Sequence, residues 1–226
     1  MPAPLGLLPL VATYAGAQVA AALLVGVLAG LWPGGSGAQR VLAVQLTYGL
    51  SSLVLLGVTW AALRLWRVPP ASRPPVRWPG LRWAGLGLLC GVVAKFAGDA
   101  LTLLEAHLAG PVHGNNPLVL YPHAFARPLP LLVLGGALVV AAPLAEELFF
   151  RGLVYGWLRG RLAPLPAALL CAAIFAAAHG SLGLAPPLLL LGLVLCWLYE
   201  RSGSLWAPAL AHAAVNAAAL ALALRT

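Results

Sequence analysis

The chain is poor in charge. Only 8% of its 226 residues are Asp, Glu, Lys or Arg, against about a quarter in soluble domains. Hydrophobic residues make up 62%, and the mean hydropathy is +0.95. This composition excludes an ordinary soluble domain and a disordered chain, and it predicts a polytopic membrane protein. The five acidic residues are Asp99, Glu105, Glu146, Glu147 and Glu200.

Cysteine is also scarce, since the chain has only Cys90, Cys171 and Cys196. All three lie inside apolar runs without CxxC spacing, which excludes a disulfide-rich secreted scaffold and indicates neither a disulfide nor a cysteine metal site. No Lys or Arg precedes Arg40. A cleaved signal peptide with a basic start is therefore not expected, and the first apolar run is predicted to be a retained span.

Long apolar runs bounded by Pro, Gly and Arg predict an all-α, polytopic transmembrane helix bundle of about seven spans. The runs are too long for strands and lack period-two alternation. Two polar connections are expected, a Pro- and Arg-rich loop at 67–80 and a longer one at 105–128, where histidines 107, 113 and 123 would be solvated. We place the spans near 5–31, 41–66, 81–104, 129–158, 164–180, 184–200 and 204–224.

The basic residues predict the orientation of the bundle. Three of them, Arg40, Arg127 and Arg225, fall on one side of the predicted membrane, and eight fall on the side of the 67–80 loop. The positive-inside rule makes the second side cytoplasmic, with a cytoplasmic N-terminus. The net charge of +8 is thus a topology signal rather than a nucleic-acid surface. The eight are Arg64, Arg67, Arg73, Arg77, Arg82, Arg159, Arg161 and Arg201.

Two adjacent carboxylates lie inside an apolar run, where a charge costs at least ~2.5–3.5 kcal/mol. Glu147 and Arg151 stand four residues apart, so they share a helix face and are predicted to pair. Glu146 is turned about 100° away from Glu147 and is free to point elsewhere. Pro143 removes a backbone hydrogen bond, and we expect the helix to bend there and open room beside the carboxylates.

Two further motifs repeat the four-residue spacing. His212 and Asn216 share a face and can both donate hydrogen bonds to a developing oxyanion. Phe175 and His179 allow the ring to pack one turn below the imidazole. Helical rise puts Glu146 and these polar residues at overlapping depths of about 12–22 Å, which permits a single intramembrane site.

Structural alternatives stay open for each group. Glu147 and Arg151 form a purely structural ion pair in one interpretation, and each histidine is then a packed, hydrogen-bonded residue. Asn216 could simply tie two helices together. Lys95 and Asp99 are one turn apart, so they are expected to pair with each other outside the site.

The sequence resembles a known family at these residues. EELFFR (146–151), FAAAH (175–179) and SGSLWAPALAHAAVN (202–216) are similar to the EExxxR, FxxxH and HxxxN motifs of the CAAX-protease and bacteriocin-processing (CPBP) intramembrane endopeptidases. The resemblance covers about residues 129–220. It divides the chain into N-terminal spans with an outer loop, 1–128, and a catalytic helix bundle, 129–224, within one integral membrane unit.

The resemblance implies an intramembrane endopeptidase with a catalytic cavity in the bilayer. Glu146 and His179 would activate a water, His212 and Asn216 would stabilise the oxyanion, and the supporting residues would be Glu147, Arg151 and Phe175. No cofactor is required in this interpretation. Zinc held by Glu146, His179 and His212 remains an alternative, although the HExxH helix pair is absent.

The expected substrate is a peptide or membrane protein within the lipid bilayer, with no nucleic acid involved and the oligomeric state open. The composition favours a bacterial cytoplasmic membrane and a role in peptide or bacteriocin processing or self-immunity. Two other functions remain: a non-catalytic scaffold or adaptor that keeps the protease fold, and a haem or quinone protein with His179 and His212 as axial ligands.

Overall fold

The computed structural model describes residues 7–30, 37–65, 74–110 and 128–225, and every regular element in those ranges is a helix. The predicted all-α architecture is therefore confirmed, and each predicted span corresponds to one helix. A short 3-10 turn, Leu182–Leu184, precedes α6. The helices are α1 (Leu7–Gly30), α2 (Gly37–Leu65), α3 (Leu81–Ala109), α4 (128–159), α5 (Pro164–Ala178), α6 (Ala185–Ser202) and α7 (Trp206–Ala223).

Four helical segments of the described chain are long and apolar enough to cross a membrane, namely Leu81–Ala109, Leu131–Arg159, Leu182–Ser202 and Trp206–Ala223. Many large hydrophobic side chains on the described helices are exposed, as expected where a bundle faces lipid instead of water. The chain is an integral membrane protein. Helix α5 has 15 residues and a length of about 22 Å, so it is shorter than the hydrocarbon core of a bilayer.

Helix α4 lies at the centre of the described bundle. Seven of the eight residues in Leu148–Tyr155 are buried, and a helix that is buried all round must be surrounded by other elements. Helices α2, α5, α6 and α7 all contact it. Glu146 and Glu147 lie on this helix. They are therefore surrounded by α2 from the N-terminal half of the chain and by α5, α6 and α7 from the C-terminal half.

Two π-helical segments, Ala137–Ala141 and Leu148–Tyr155, interrupt α4. In a π turn a carbonyl accepts from the N–H five residues later, as Ala142 N–H donates to the oxygen of Ala137. The next donor would be residue 143, which is proline and has no N–H. The carbonyl of Leu138 therefore has no partner within the helix.

Helices α3 and α7 approach each other at glycines. A Cβ atom placed on Gly91 would lie 2.2 Å from the oxygen of Ala211, and one on Gly87 would lie 2.6 Å from the oxygen of Ala207. Only glycine permits this approach of two backbones. Because His212 follows Ala211, the N-terminal half of the chain helps to set the position of His212.

Segment 74–80 lies against the turn between α6 and α7 at one end of the bundle, and Arg159 on α4 reaches Glu200 on α6 at the same end. Residues 203–206, the Gly-Ser-Leu-Trp sequence before the HxxxN motif, thus fix the start of α7 against segment 74–80. Residues 66–73, which include the beginning of the predicted loop, lie outside the described ranges. The hydrogen bonds are Leu205 N to Pro75 O (2.9 Å), Trp206 Nε1 to Val76 O (2.9 Å) and Ser204 Oγ to Arg77 O.

Helix α3 corrects one predicted boundary. It continues to Ala109 instead of ending near residue 104, so Glu105 and His107 lie on its last turns and not in a loop. His113 and His123 fall outside the described residues. Lys95 and Asp99 form the predicted ion pair on this helix.

Candidate active site

His179 lies at the C-terminal end of α5. The helix stops there because Gly180 takes a φ of 66°, a left-handed conformation that glycine adopts without strain. The imidazole Nδ1 lies 2.8 Å from the carbonyl oxygen of Phe175. A carbonyl only accepts, so Nδ1 carries a proton, and Nε2 of a neutral ring is then an acceptor.

Glu146 on α4 faces this second nitrogen. Oε2 of Glu146 lies 4.0 Å from Nε2 of His179, and the two side chains are 24% and 31% exposed. This separation is too long for a hydrogen bond, and Oε2 has no hydrogen-bond partner among the described residues. Oε2 is itself buried, so the two acceptors can share one water that donates a hydrogen to each of them once the carboxylate turns Oε2 toward His179.

Both side chains open into a cavity of about 280 Å³ between α1, α2, α4 and α5, which we name the central cavity. Its remaining wall is formed by Leu55, Ala142, Ala145, Phe150 and Ala178, together with a polar set from α1 and α2. The polar set consists of Tyr14, Gln18, Thr47, Ser51 and Ser52.

Sequence reasoning missed the polar wall, because residues 1–128 carry no motif of the family. One signal was present. Thr47 and Ser51 stand four residues apart in an apolar helix, and such spacing puts two polar side chains on one face. Polar groups in a membrane helix turn toward protein or water, so this face of α2 belongs inside the bundle.

Tyr14 joins α1 to the end of α5. Its ring centroid lies 5.2 Å from that of Phe149 and 6.0 Å from that of Phe150. Its hydroxyl donates to the carbonyl of Ala178 over 3.4 Å, and His179 is the next residue along the chain. The first helix, which has no recognisable motif, therefore contacts the backbone that carries the histidine.

Glu147, the neighbour of Glu146, is hydrogen-bonded to two other buried side chains. We call Glu147, Arg151 and His212 the buried network. Oε1 of Glu147 accepts from Nη1 of Arg151 at 2.9 Å and from Nδ1 of His212 at 3.0 Å. Nη2 of Arg151 also donates to the carbonyl of Gly192 on α6 (3.2 Å). The predicted pairing of Glu147 and Arg151 is present, and His212 is a partner that spacing along one helix did not indicate.

Phe175 connects the two groups. Its ring centroid lies 4.7 Å from that of His179 and 5.9 Å from that of His212. The guanidinium carbon of Arg151 stands 4.7 Å from the same ring. Because Phe175 is fully buried, it gives both imidazoles and the guanidinium a common packing surface.

Asn216 on α7 is joined to α4. Its Nδ2 donates to the oxygen of Leu138 over 2.8 Å, and this is the carbonyl that Pro143 leaves without a helical partner. The amide therefore ties two helices together and keeps one further N–H. Neither Asn216 nor His212 is among the residues that line the central cavity.

The residues present do not fit a three-ligand zinc site. Within the described ranges, no group of three or more His, Cys, Asp or Glu side chains could hold a metal ion. Glu146 and His179 face each other, whereas Nδ1 of His212 is bonded to Glu147. Glu146, His179 and His212, the alternative zinc ligands, therefore do not point at one common position.

Comparison with known families supports the resemblance. Residues 128–218 match the family described as type II CAAX prenyl endopeptidase, Rce1-like. The match covers 91 of the 226 residues, so the similarity to that family concerns this part of the chain. The CAAX-endopeptidase match contains all three motifs, the central cavity's Glu146 and His179, and the buried network. No curated protein and no solved structure matched the chain.

Proposed function

We propose that the chain is an intramembrane endopeptidase in which Glu146 and His179 activate a water for attack on a peptide carbonyl. One observation carries the proposal: Glu146 and His179 both line one cavity in the membrane-spanning bundle, and Oε2 of Glu146 stands 4.0 Å from Nε2 of His179. The family match over residues 128–218 supports the reaction type.

The proton transfers follow from the two acceptors. The water donates one hydrogen to each, which leaves its remaining lone pairs for the substrate carbonyl carbon. As the new C–O bond forms, Glu146 takes the proton and the carbonyl oxygen becomes negative. Glu146 then returns that proton to the amide nitrogen as the C–N bond breaks, and the products are a carboxylic acid and an amine.

We assign His212 and Asn216 to the oxyanion only on the strength of the motif HAAVN within the family match, since neither residue lines the central cavity. Nδ1 of His212 already donates to Glu147, so Nε2 can donate only when the ring carries a second proton. Glu147 would stabilise that imidazolium. Asn216 would offer the amide N–H that its bond to Leu138 does not use.

The proposed reaction uses no metal, because the carboxylate and the imidazole hold the water themselves. The substrate we propose is a peptide or membrane-protein segment that enters the central cavity from the bilayer. We place the protein in bacterial peptide processing, with bacteriocin maturation or self-immunity as the specific roles.

The test compares membrane proteomes of cells that carry the wild-type protein or Glu146→Gln. We expect an uncleaved precursor to accumulate in the variant, because general acid–base groups contribute about 10²–10⁴-fold in rate. Glu105→Gln is the matched control, since Glu105 lies on α3 and does not line the cavity. Unchanged cleavage by purified Glu146→Gln would refute the mechanism, and full complementation of a null phenotype would indicate a scaffold instead.

A further inference from the structure

A second concave surface lies near the end of the bundle where segment 74–80 meets the α6–α7 turn. A groove of about 590 Å³ runs between α4, α5 and α6, and it shares no lining residue with the central cavity. Its walls are Tyr155, Pro164, Leu165, Ala168, Leu193, Trp197, Glu200 and Arg201.

Most of this groove is apolar and open to the outside of the bundle. Leu165 is 67% exposed and Trp197 is 44% exposed, so the hydrocarbon-like walls face the surroundings of the protein. In a membrane-spanning bundle those surroundings are lipid chains, and tryptophan is typical of the level where the chains meet the headgroups. The shape and chemistry of the walls therefore suit an acyl chain.

The charges at the end of the groove are not balanced. Glu200 accepts from Nη2 of Arg159 at 3.1 Å and from the hydroxyl of Tyr155 at 3.0 Å, so its charge is neutralised by a neighbour. Arg201 is exposed and makes no hydrogen bond or ion pair with the described residues. The net charge that remains at the end of the groove is positive.

We propose that this groove binds one anionic phospholipid, with an acyl chain along Leu165, Ala168 and Leu193 and the headgroup phosphate at Arg201. Charge complementarity selects the anionic headgroup, because Arg201 is the groove's unpaired cation within the described chain. The arginine count predicts that this end faces the cytoplasm, and the cytoplasmic leaflet carries the anionic lipids.

The test is native mass spectrometry of the purified full chain titrated with dioleoylphosphatidylglycerol or dioleoylphosphatidylcholine. We expect the wild-type protein to retain the anionic lipid about fivefold more strongly, which is the effect of one arginine near a charged headgroup. Arg201→Gln should remove that preference. Arg82→Gln is the control, since Arg82 is exposed at the start of α3 and does not line the groove.

Ala168→Trp separates the contribution of the acyl chain from that of the headgroup. The larger side chain should fill the groove and lower the retention of both lipids, while glycerol phosphate without acyl chains should not displace bound lipid. The proposal is overturned if Arg201→Gln keeps the wild-type preference. It is equally overturned if glycerol phosphate competes as well as the lipid, since the site would then recognise a free phosphate.

Discussion

Glu146 and Glu147 are adjacent in the chain, yet they differ in exposure and in the partners that surround them. The side chain of Glu146 is 24% exposed and lines the central cavity, where it faces His179 at 4.0 Å. Glu147 is 1% exposed and bonded to Arg151 and His212. Successive residues on a helix point about 100° apart. Two neighbouring carboxylates can therefore lie in different surroundings, one at a cavity and the other in the buried network.

The largest expected contrast is between Glu146→Gln and Glu147→Gln. Removing the carboxylate of Glu147 leaves the guanidinium of Arg151 buried without a counter-charge, and such a loss costs about 3–5 kcal/mol of unfolding free energy. Within the described residues Glu146 faces only the partly exposed His179, at 4.0 Å, so its variant should unfold at the wild-type temperature. Thermal unfolding of both purified variants in detergent measures the difference.

A double replacement checks the cause of that loss. Leu at both 147 and 151 removes the buried charges together and should recover part of the lost stability, because a buried pair is often replaceable by apolar residues. Equal unfolding temperatures for Glu147→Gln and the wild type would contradict the structural interpretation of the buried network.

A smaller effect is expected at the contact between α3 and α7. Ala at Gly91 would place its Cβ 2.2 Å from the oxygen of Ala211, so the helices must separate and move His212. Overpacking of this kind costs about 1–3 kcal/mol. Gly85→Ala on the same helix is the control, because a Cβ there meets nothing within 4 Å. The two unfolding temperatures should differ, and a Gly91→Ala protein as stable as the control would show that α7 is not held by this contact.

The smallest expected effect lies at Tyr14, on the wall of the central cavity. Tyr14→Phe keeps the packing on Phe149 and Phe150 and removes the hydrogen bonds of the hydroxyl, a long one of 3.4 Å to Ala178 and one with the side chain of Gln18. The long bond contributes little and a second neutral bond contributes about 1 kcal/mol, so proteolytic activity should fall about fivefold. Activity is measured on the precursor identified with Glu146→Gln.

Tyr14→Leu is the companion variant, since it also removes the ring contacts and should therefore reduce activity more. Complete inactivity of Tyr14→Phe would contradict the positioning role, because the hydroxyl would then act on the substrate directly.

The features that could be predicted from the sequence are local ones. The spans follow from runs of apolar residues, and the pairs Glu147–Arg151 and Lys95–Asp99 follow from four-residue spacing on one helix. The sequence predicts the end of α3 about five residues too early, because acidic and histidine residues near a membrane boundary resemble a loop in composition. The roles of Glu146, His179, His212 and Asn216 in catalysis stay predictions.

What could not be predicted depends on contacts between distant parts of the chain. The polar wall of the central cavity comes from α1 and α2. Its residues line a cavity only because these helices pack beside α4 and α5. Likewise, the bond of His212 to Glu147 joins residues 65 positions apart. No periodicity within one helix encodes such a pair.

The sequence by itself determined that this chain lies in a membrane as a helical bundle and that residues 128–218 carry a CAAX-endopeptidase pattern. Composition is enough to predict the membrane-spanning helices, and residue spacing is enough to recognise the motifs, because both can be read from single segments of the chain. Only the tertiary structure decided that Glu146 and His179 share the central cavity whereas Glu147 and His212 form the buried network. That division depends on which helix faces meet, and packing between helices is decided by shape and close approach, as at Gly91 and Ala211.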